Sequence, residues 1–318
     1  MKKLLALIIV VLAFSCKNEP KVEVGPKITI TSDELKEAVT YLSSDELLGR
    51  DTGTQGIDDA ATYIEKQFES YGVKPYFETF RDNFKLDSLD AFNVVGVIEG
   101  VDETLKNEYI VIGAHYDHIG YGKPVENDSI ANGANDNATG TAGVMAMAKY
   151  FATRKNNKRS ILFALFTAEE RGLLGSKHLA ERLKSDSLNV YTMVNLEMIG
   201  VPFKDRDYQA FLTGYELSNM AEKMNAYAGS KLIGFSEVSK KYRLFMRSDN
   251  YPFYDQFKTP CQTLSSCDLT NFDFYHHVDD EIELMDFNFM ANLINSTIPV
   301  IETMSNTPTK EIVMHEAE

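Results

Sequence analysis

The sequence predicts an α/β fold in which a mainly parallel sheet is covered by helices on both faces. Between Glu108 and Leu196, strand-like runs alternate with helical patterns long enough to return across a sheet. The runs EYIVIGA (108–114) and RSILFALFTA (159–168) are apolar nearly throughout, the pattern of strands buried on both sides.

The elements come in this order. From Thr31 to Leu48, TSDELKEAVTYLSSDELL opens on a capping signal and repeats apolar residues at helical spacing, so an amphipathic helix begins the domain. After the glycine-rich turn GRDTGTQG, a second helix runs from about Ile57 to Tyr71 and stops at Gly72. Strands are expected at Ala91 to Glu99 and Glu108 to Ala114. Then come a helix from about Ala138 to Thr153, the strand RSILFALFTA, a helix from Gly172 to Lys184 and the strand YTMVNL ending near Leu196. A helix around Leu217 to Ala228, a strand around Pro260 to Leu264 and a closing helix from about Asp286 to Ser305 complete the pattern. With no internal repeat and no low-complexity linker after residue 30, residues 31–318 read as one domain, and 201–250 as an excursion over its site.

A formal net charge of −15 disfavours nucleic acid and binding to anionic lipid through surface charge. At the start, Met1-Lys2-Lys3 precedes an apolar run from Leu4 to Phe14, too short to span a bilayer, and then Ser15 and Cys16. Residues 1–16 therefore read as a signal peptide resembling that of bacterial lipoproteins, with Cys16 lipidated and 17–30 as a tether. The expected location is the cell envelope, with membrane contact only through that lipid. Cys261 and Cys267 are left to form a local disulfide or to remain two buried thiols, and they are too few for a thiolate zinc site.

In parallel sheets ligands bind beyond the carboxyl ends of the strands. EYIVIGA runs into His115-Tyr116-Asp117-His118, RSILFALFTA into Glu169-Glu170, and YTMVNL into Glu197, while PCQTL is followed shortly by Tyr275-His276-His277. The turn NGANDN (132–137) sets Asp136 at a helix N-terminus on the same side. Singly these residues have bland readings: Asp136 as a helix cap, Glu169 and Glu170 as an acidic first turn, His115 as a satisfied core histidine. Together they do not, because uncompensated carboxylates gathered beside a buried sheet repel one another and lose hydration. Asp136, Glu170 and Glu197 with neutral His115 and His276 balance two Zn²⁺ plus one hydroxide, and mixed imidazole and carboxylate donors suit zinc.

The stretches GAHYDHIG, GANDNATGTAGV, FTAEERGLLGS, NLEMIG, RSDNYPFY and FYHHVDD, in that order, resemble the co-catalytic zinc aminopeptidases, a family similar in its catalytic domain to glutamate carboxypeptidase II and the glutaminyl cyclases. The likeness spans roughly residues 33 to 305 and implies a three-layer phosphorylase/hydrolase-like fold with a mixed, mostly parallel sheet between helices. It implies that His115 and Glu197 ligate one zinc, Glu170 and His276 the second, and Asp136 both. Glu169 is then the general base, taking a proton from the attacking water and returning it to the leaving amine of a peptide substrate. Asp117 is expected to accept the free N–H of His115, and Tyr275 to donate to the oxyanion. His118 is expected to line the cleft and His178 to sit on a helix face, neither as a ligand. The sequence departs from the family at Glu197, where most relatives carry Asp. The extra methylene shifts the carboxylate by about one bond length and puts occupancy of the first zinc site in question.

Two other readings use the same scaffold. A glutaminyl cyclase, a single-zinc transferase, lines its pocket with tryptophan, and this chain has none. A non-catalytic binding protein conflicts with the presence of both Glu169 and Glu170. Neither a G-x-S-x-G elbow nor an H-E-x-x-H helix is present, which removes serine hydrolases and zincins.

Overall fold

The structure, a computed structural model, describes residues 24–316. The expected signal peptide, Cys16 and the first residues of the tether lie outside the described residues. The end of the tether segment is part of the body: Gly25 N–H donates to Arg154 O at 2.9 Å, and buried Ile30 exchanges two hydrogen bonds with the Asn295 amide.

The strands are β1 (Lys74–Pro75), β2 (Arg81–Leu86), β3 (Leu89–Ile98), β4 (Glu108–His115), β5 (Tyr121–Val125), β6 (Asp128–Ile130), β7 (Ser160–Phe166), β8 (Asn189–Leu196), β9 (Ala210–Leu212), β10 (Ile233–Gly234) and β11 (Cys261–Ser265). The α-helices are α1 (Ser32–Leu42), α2 (Gln55–Tyr71), α3 (Gly140–Arg154), α4 (Leu174–Ser185), α5 (Met220–Ala228), α6 (Glu237–Lys241), α7 (Asn250–Phe257) and α8 (Phe287–Asn306). Apart from the β5–β6 hairpin, the described strands form one sheet in the order β1-β3-β7-β4-β8-β11-β9-β10, with β2 also on β3. Its middle, β7-β4-β8-β11, is parallel, while β3 pairs antiparallel with β7 and β9 antiparallel with β11, so the sheet is mixed.

Alternation explains the two covering layers. In β7, Ile161, Phe163 and Leu165 enter a large core with α1, α2, α3, α5 and α8, whereas Leu162, Ala164 and Phe166 enter a smaller one beneath α4 and α7. Cys261 faces the smaller core and Cys267 the larger, and both are buried free thiols.

The structure departs from the expected elements at the first helix, and it adds strand β2, the β5–β6 hairpin and helices α6 and α7. The first helix ends at Leu42, and the chain then turns through Leu48, Gly49 and Arg50, all at positive φ. A side chain on Gly49 would run into Gly120 O at 2.3 Å. The turn buries the Arg50 guanidinium, which donates to four main-chain carbonyls, those of Leu42, Tyr116, Asn132 and Gly133. The 201–250 segment extends the sheet edge through β9 and β10, and both its β9 stretch, at Phe211 and Thr213, and its last part, at Leu244 to Ser248, line the cleft beside Glu197 and Tyr275.

Candidate metal centre

The carboxyl ends of β4, β7, β8 and β11 open on one edge of the sheet. His115 is the last residue of β4, Glu169 and Glu170 come after β7, Glu197 after β8, and Tyr275 and His276 lie in the loop after β11. Asp136 arrives from an irregular turn, Ala134–Thr139, that precedes α3 and has non-helical geometry at Asp136 and Asn137. It is therefore not a helix cap. Asp280 fastens this turn, its two carboxylate oxygens accepting the N–H groups of Asn135 and Asp136 at 2.8 and 2.9 Å. The flanking asparagines tie the same turn to the Glu197 loop: Asn137 Oδ1 accepts Met198 N–H at 3.1 Å, and Asn135 Oδ1 accepts Gly200 N–H at 3.0 Å.

Asp136 joins the two halves of the site. Its Oδ1 lies 3.3 Å from His115 Nε2, and its Oδ2 lies 3.5 Å from His276 Nε2, which is 2.9 Å from Glu170 Oε2. Donors that share a tetrahedral ion at about 2.0–2.1 Å stand roughly 3.3 Å apart, close to the spacing of His276 from both Asp136 and Glu170. Glu197 is held from outside this group. Ser248 receives a hydrogen bond from the Asn195 amide on β8 at 2.9 Å, lies 3.1 Å from the Thr263 hydroxyl on β11, and passes its own hydroxyl hydrogen to Glu197 Oε2.

Charge crowding shows in the titration of these groups. Burial pushes the Glu197 carboxyl up to about 7, with Asp136 and Glu170 adding to the effect and His115 opposing it. Burial also holds Glu169 well above the usual carboxylate range, with Asp249, Glu197 and Glu170 reinforcing it. At Glu170 the burial penalty is outweighed by hydrogen bonds from His118 and His276, which hold that carboxyl below its ordinary value. His115 is raised well above the ordinary imidazole value, because Glu169, Asp117 and Asp136 outweigh its burial. Three half-buried acids, Glu169, Glu170 and Glu197, gathered beside imidazoles are the electrostatic condition that divalent cations relieve.

Two placements differ from expectation. The Asp117 carboxylate stands 3.6 Å from His115 Nδ1, and the closer acceptor is the Asp117 main-chain carbonyl at 3.2 Å. That carboxylate instead accepts the N–H groups of Glu169 and Glu170, which draws it toward β7. His118 does not merely line the cleft. It is fully buried, its Nδ1 lies 2.9 Å from Glu170 Oε1, and its donor atom stands within 4.8 Å of those of Asp136 and Glu170. Tyr275 stacks on the His276 ring at 3.9 Å between centroids, and His178 sits on α4 against Phe84, away from the cage. His277 turns aside to accept the N–H of Asp279.

Asp249, which the sequence reading did not single out, lies at the start of α7 with both carboxyl oxygens buried, and burial holds it at about 7, opposed by His115 and the Ser176 hydroxyl. Its signal was the RSDNYPFY stretch, as FYHHVDD was for Asp280.

Residues 93–299 match the family described as Peptidase family M28, most of the chain and all of these site residues. The chain belongs to Peptidase family M28. Within a wider set of likenesses, this M28 chain is 27% identical over 269 residues to a "Probable leucine aminopeptidase" of Trichophyton verrucosum, covering 81% of this chain and 66% of that protein. The fold matches Legionella pneumophila LapA aminopeptidase with a TM-score of 0.68 at 23% identity, over 87% of this chain and 71% of that one. It matches Porphyromonas gingivalis glutaminyl cyclase with a TM-score of 0.68 at 14% identity, over 88% and 100%. At such identities these two structures speak for the fold. The first curated relatives are longer proteins, and the M28 chain spans between 22% and 66% of their length, under two thirds in each.

Proposed function

We propose that this M28 chain is a zinc-dependent aminopeptidase that binds two ions, one between His115, Asp136 and Glu197 and one between Asp136, Glu170 and His276. The observation that carries the reading is the division of labour at Glu169 and Glu170. Consecutive carboxylates leave one strand end, one clasped by His118 and His276 and the other half-buried, raised and free for proton transfer.

When bound, zinc supplies Lewis acidity toward a peptide carbonyl and acidifies a water. The chain does the rest. Glu169 takes the proton of the attacking water and returns it to the leaving amine. Tyr275, at the mouth of the cleft, donates to the developing oxyanion. The substrate's N-terminal side chain is directed at the narrow cleft between Glu197 and Tyr275, walled by Met198, Phe211, Leu244 and Leu269. Export and anchoring through Cys16 belong to the same proposal, supported by the sequence of residues 1–16 and tested by mass spectrometry of the mature N-terminus.

The deciding experiment measures zinc stoichiometry and turnover on a panel of aminoacyl amides, beside a glutaminyl-peptide cyclisation assay. Aminopeptidase activity that chelation abolishes and zinc restores supports the reading. Cyclisation without hydrolysis, or hydrolysis that survives exhaustive chelation, overturns it.

A further inference from the structure

His118 contributes a buried imidazole to the second ion site, although the ligand set is complete without it. Three observations define its task. Its Nδ1 lies 2.9 Å from Glu170 Oε1, while the other oxygen, Oε2, is the one 2.9 Å from His276 Nε2. The two oxygens of one carboxylate are thus divided between two imidazoles. Second, the ring cannot swing away. The His118 N–H donates to Arg50 O, the ring is fully buried, and Gly133 packs so closely that an added Cβ would stand 2.6 Å from Cγ. Third, His118 Nε2 is buried with no hydrogen-bond partner among the described residues.

An ionised carboxylate only accepts, so the proton of neutral His118 sits on Nδ1, facing Glu170. A nitrogen carrying that proton has no lone pair for an ion, and His118 Nδ1 is also farther from Asp136 Oδ2, at 3.9 Å, than His276 Nε2 is at 3.5 Å. We infer that His118 is a positioning residue: its Nδ1–H holds Glu170 Oε1 so that Oε2 alone turns to the second ion, beside His276 and Asp136. The inference rests on the two-ion reading proposed above. It assigns the site a one-oxygen carboxylate ligand, because the second oxygen is occupied by a hydrogen bond, in the manner of partners that orient metal ligands from behind.

The test compares His118→Asn, which keeps an amide N–H near the Nδ1 position, with His118→Gln, which moves it to the Nε2 position, and with His118→Ala. Zinc affinity and stoichiometry are read by competition with a chromogenic chelator, and unfolding of the metal-free proteins reports the fold. The Ala and Gln variants are expected to bind the second ion about 10–100-fold more weakly. The Asn variant is expected to stay within a few-fold of wild type. If Ala does not fold, the Asn and Gln pair decides the matter. Equal zinc affinity in every folded variant overturns the inference alone, as does an Asn variant no better than Gln. A wild-type protein that takes up no zinc removes the two-ion reading and this inference together.

Discussion

The carboxylate of Asp117 accepts the main-chain N–H of Glu169 at 3.2 Å, so the loop after β4 sets the direction in which the loop after β7 presents its acids. Its second oxygen is 3.4 Å from Glu170 N and from the Thr52 hydroxyl. The residue before Glu169, Ala168, sits at positive φ, a conformation that this fastening helps to hold.

Glu169→Gln removes the proton acceptor while keeping volume and the main-chain fastening. The variant is expected to bind zinc like wild type and to lose kcat by about 10²–10⁴-fold, with KM little changed. Steady-state kinetics with elemental analysis checks this, and near-normal turnover would reassign the base.

Glu170→Ala should behave in the opposite way. It deletes the carboxylate shared by His118 and His276, so zinc content is expected to fall by one ion per chain. Unchanged zinc content would show that the roles of the two glutamates are exchanged.

Ser248→Ala leaves Glu197 without the hydroxyl that links it to β8 and β11. A freed Glu197 should hold the first ion about 10-fold less tightly, with the second ion unaffected. Stepwise zinc titration separates the two.

Arg50→Ala strips the donor from four buried carbonyls at once, three of them in the loops that carry His115, Asp117 and Asp136. The expected loss is about 3 kcal/mol or more of unfolding free energy in denaturant titration. A change under about 1 kcal/mol would show that water replaces the guanidinium without penalty.

The metal-free protein is expected to weaken as pH rises from about 4.5 toward 7. Glu197 and Asp249 are held at about 7 in the fold, above the ordinary carboxylate values of roughly 4 that the unfolded chain shows. Between those limits the folded state binds more protons, so unfolding free energy falls with pH. His115, raised in the fold, acts in the same direction above about 6.5. Urea midpoints at pH 5 and pH 7.5, with and without zinc, measure this. Zinc should reverse the trend, because its ligands must be ionised to bind.

Residue type and strand position were enough to single out His115, Glu169, Glu170 and Glu197 at strand ends, but not Asp249 or Asp280. A parallel strand delivers its last residue to a known edge of the sheet, so His115, Glu170 and Glu197 were legible from hydrophobic runs and the polar residues at their carboxyl ends. The larger elements were legible for a similar reason, since the two periodicities are local. The groups that aim those ligands were not. Asp280 reaches Asp136 across 144 residues, Ser248 reaches Glu197 across 51, and His118 reaches Glu170 across 52. Nothing in the neighbourhood of a serine or an aspartate in the chain says which distant amide or carboxylate it will face. By itself the sequence determined which acidic and imidazole residues leave the sheet at one edge, because residue type and strand direction are local. Only the tertiary structure decided how each donor is oriented, because a hydrogen bond needs about 3 Å and a direction, and both come from packing.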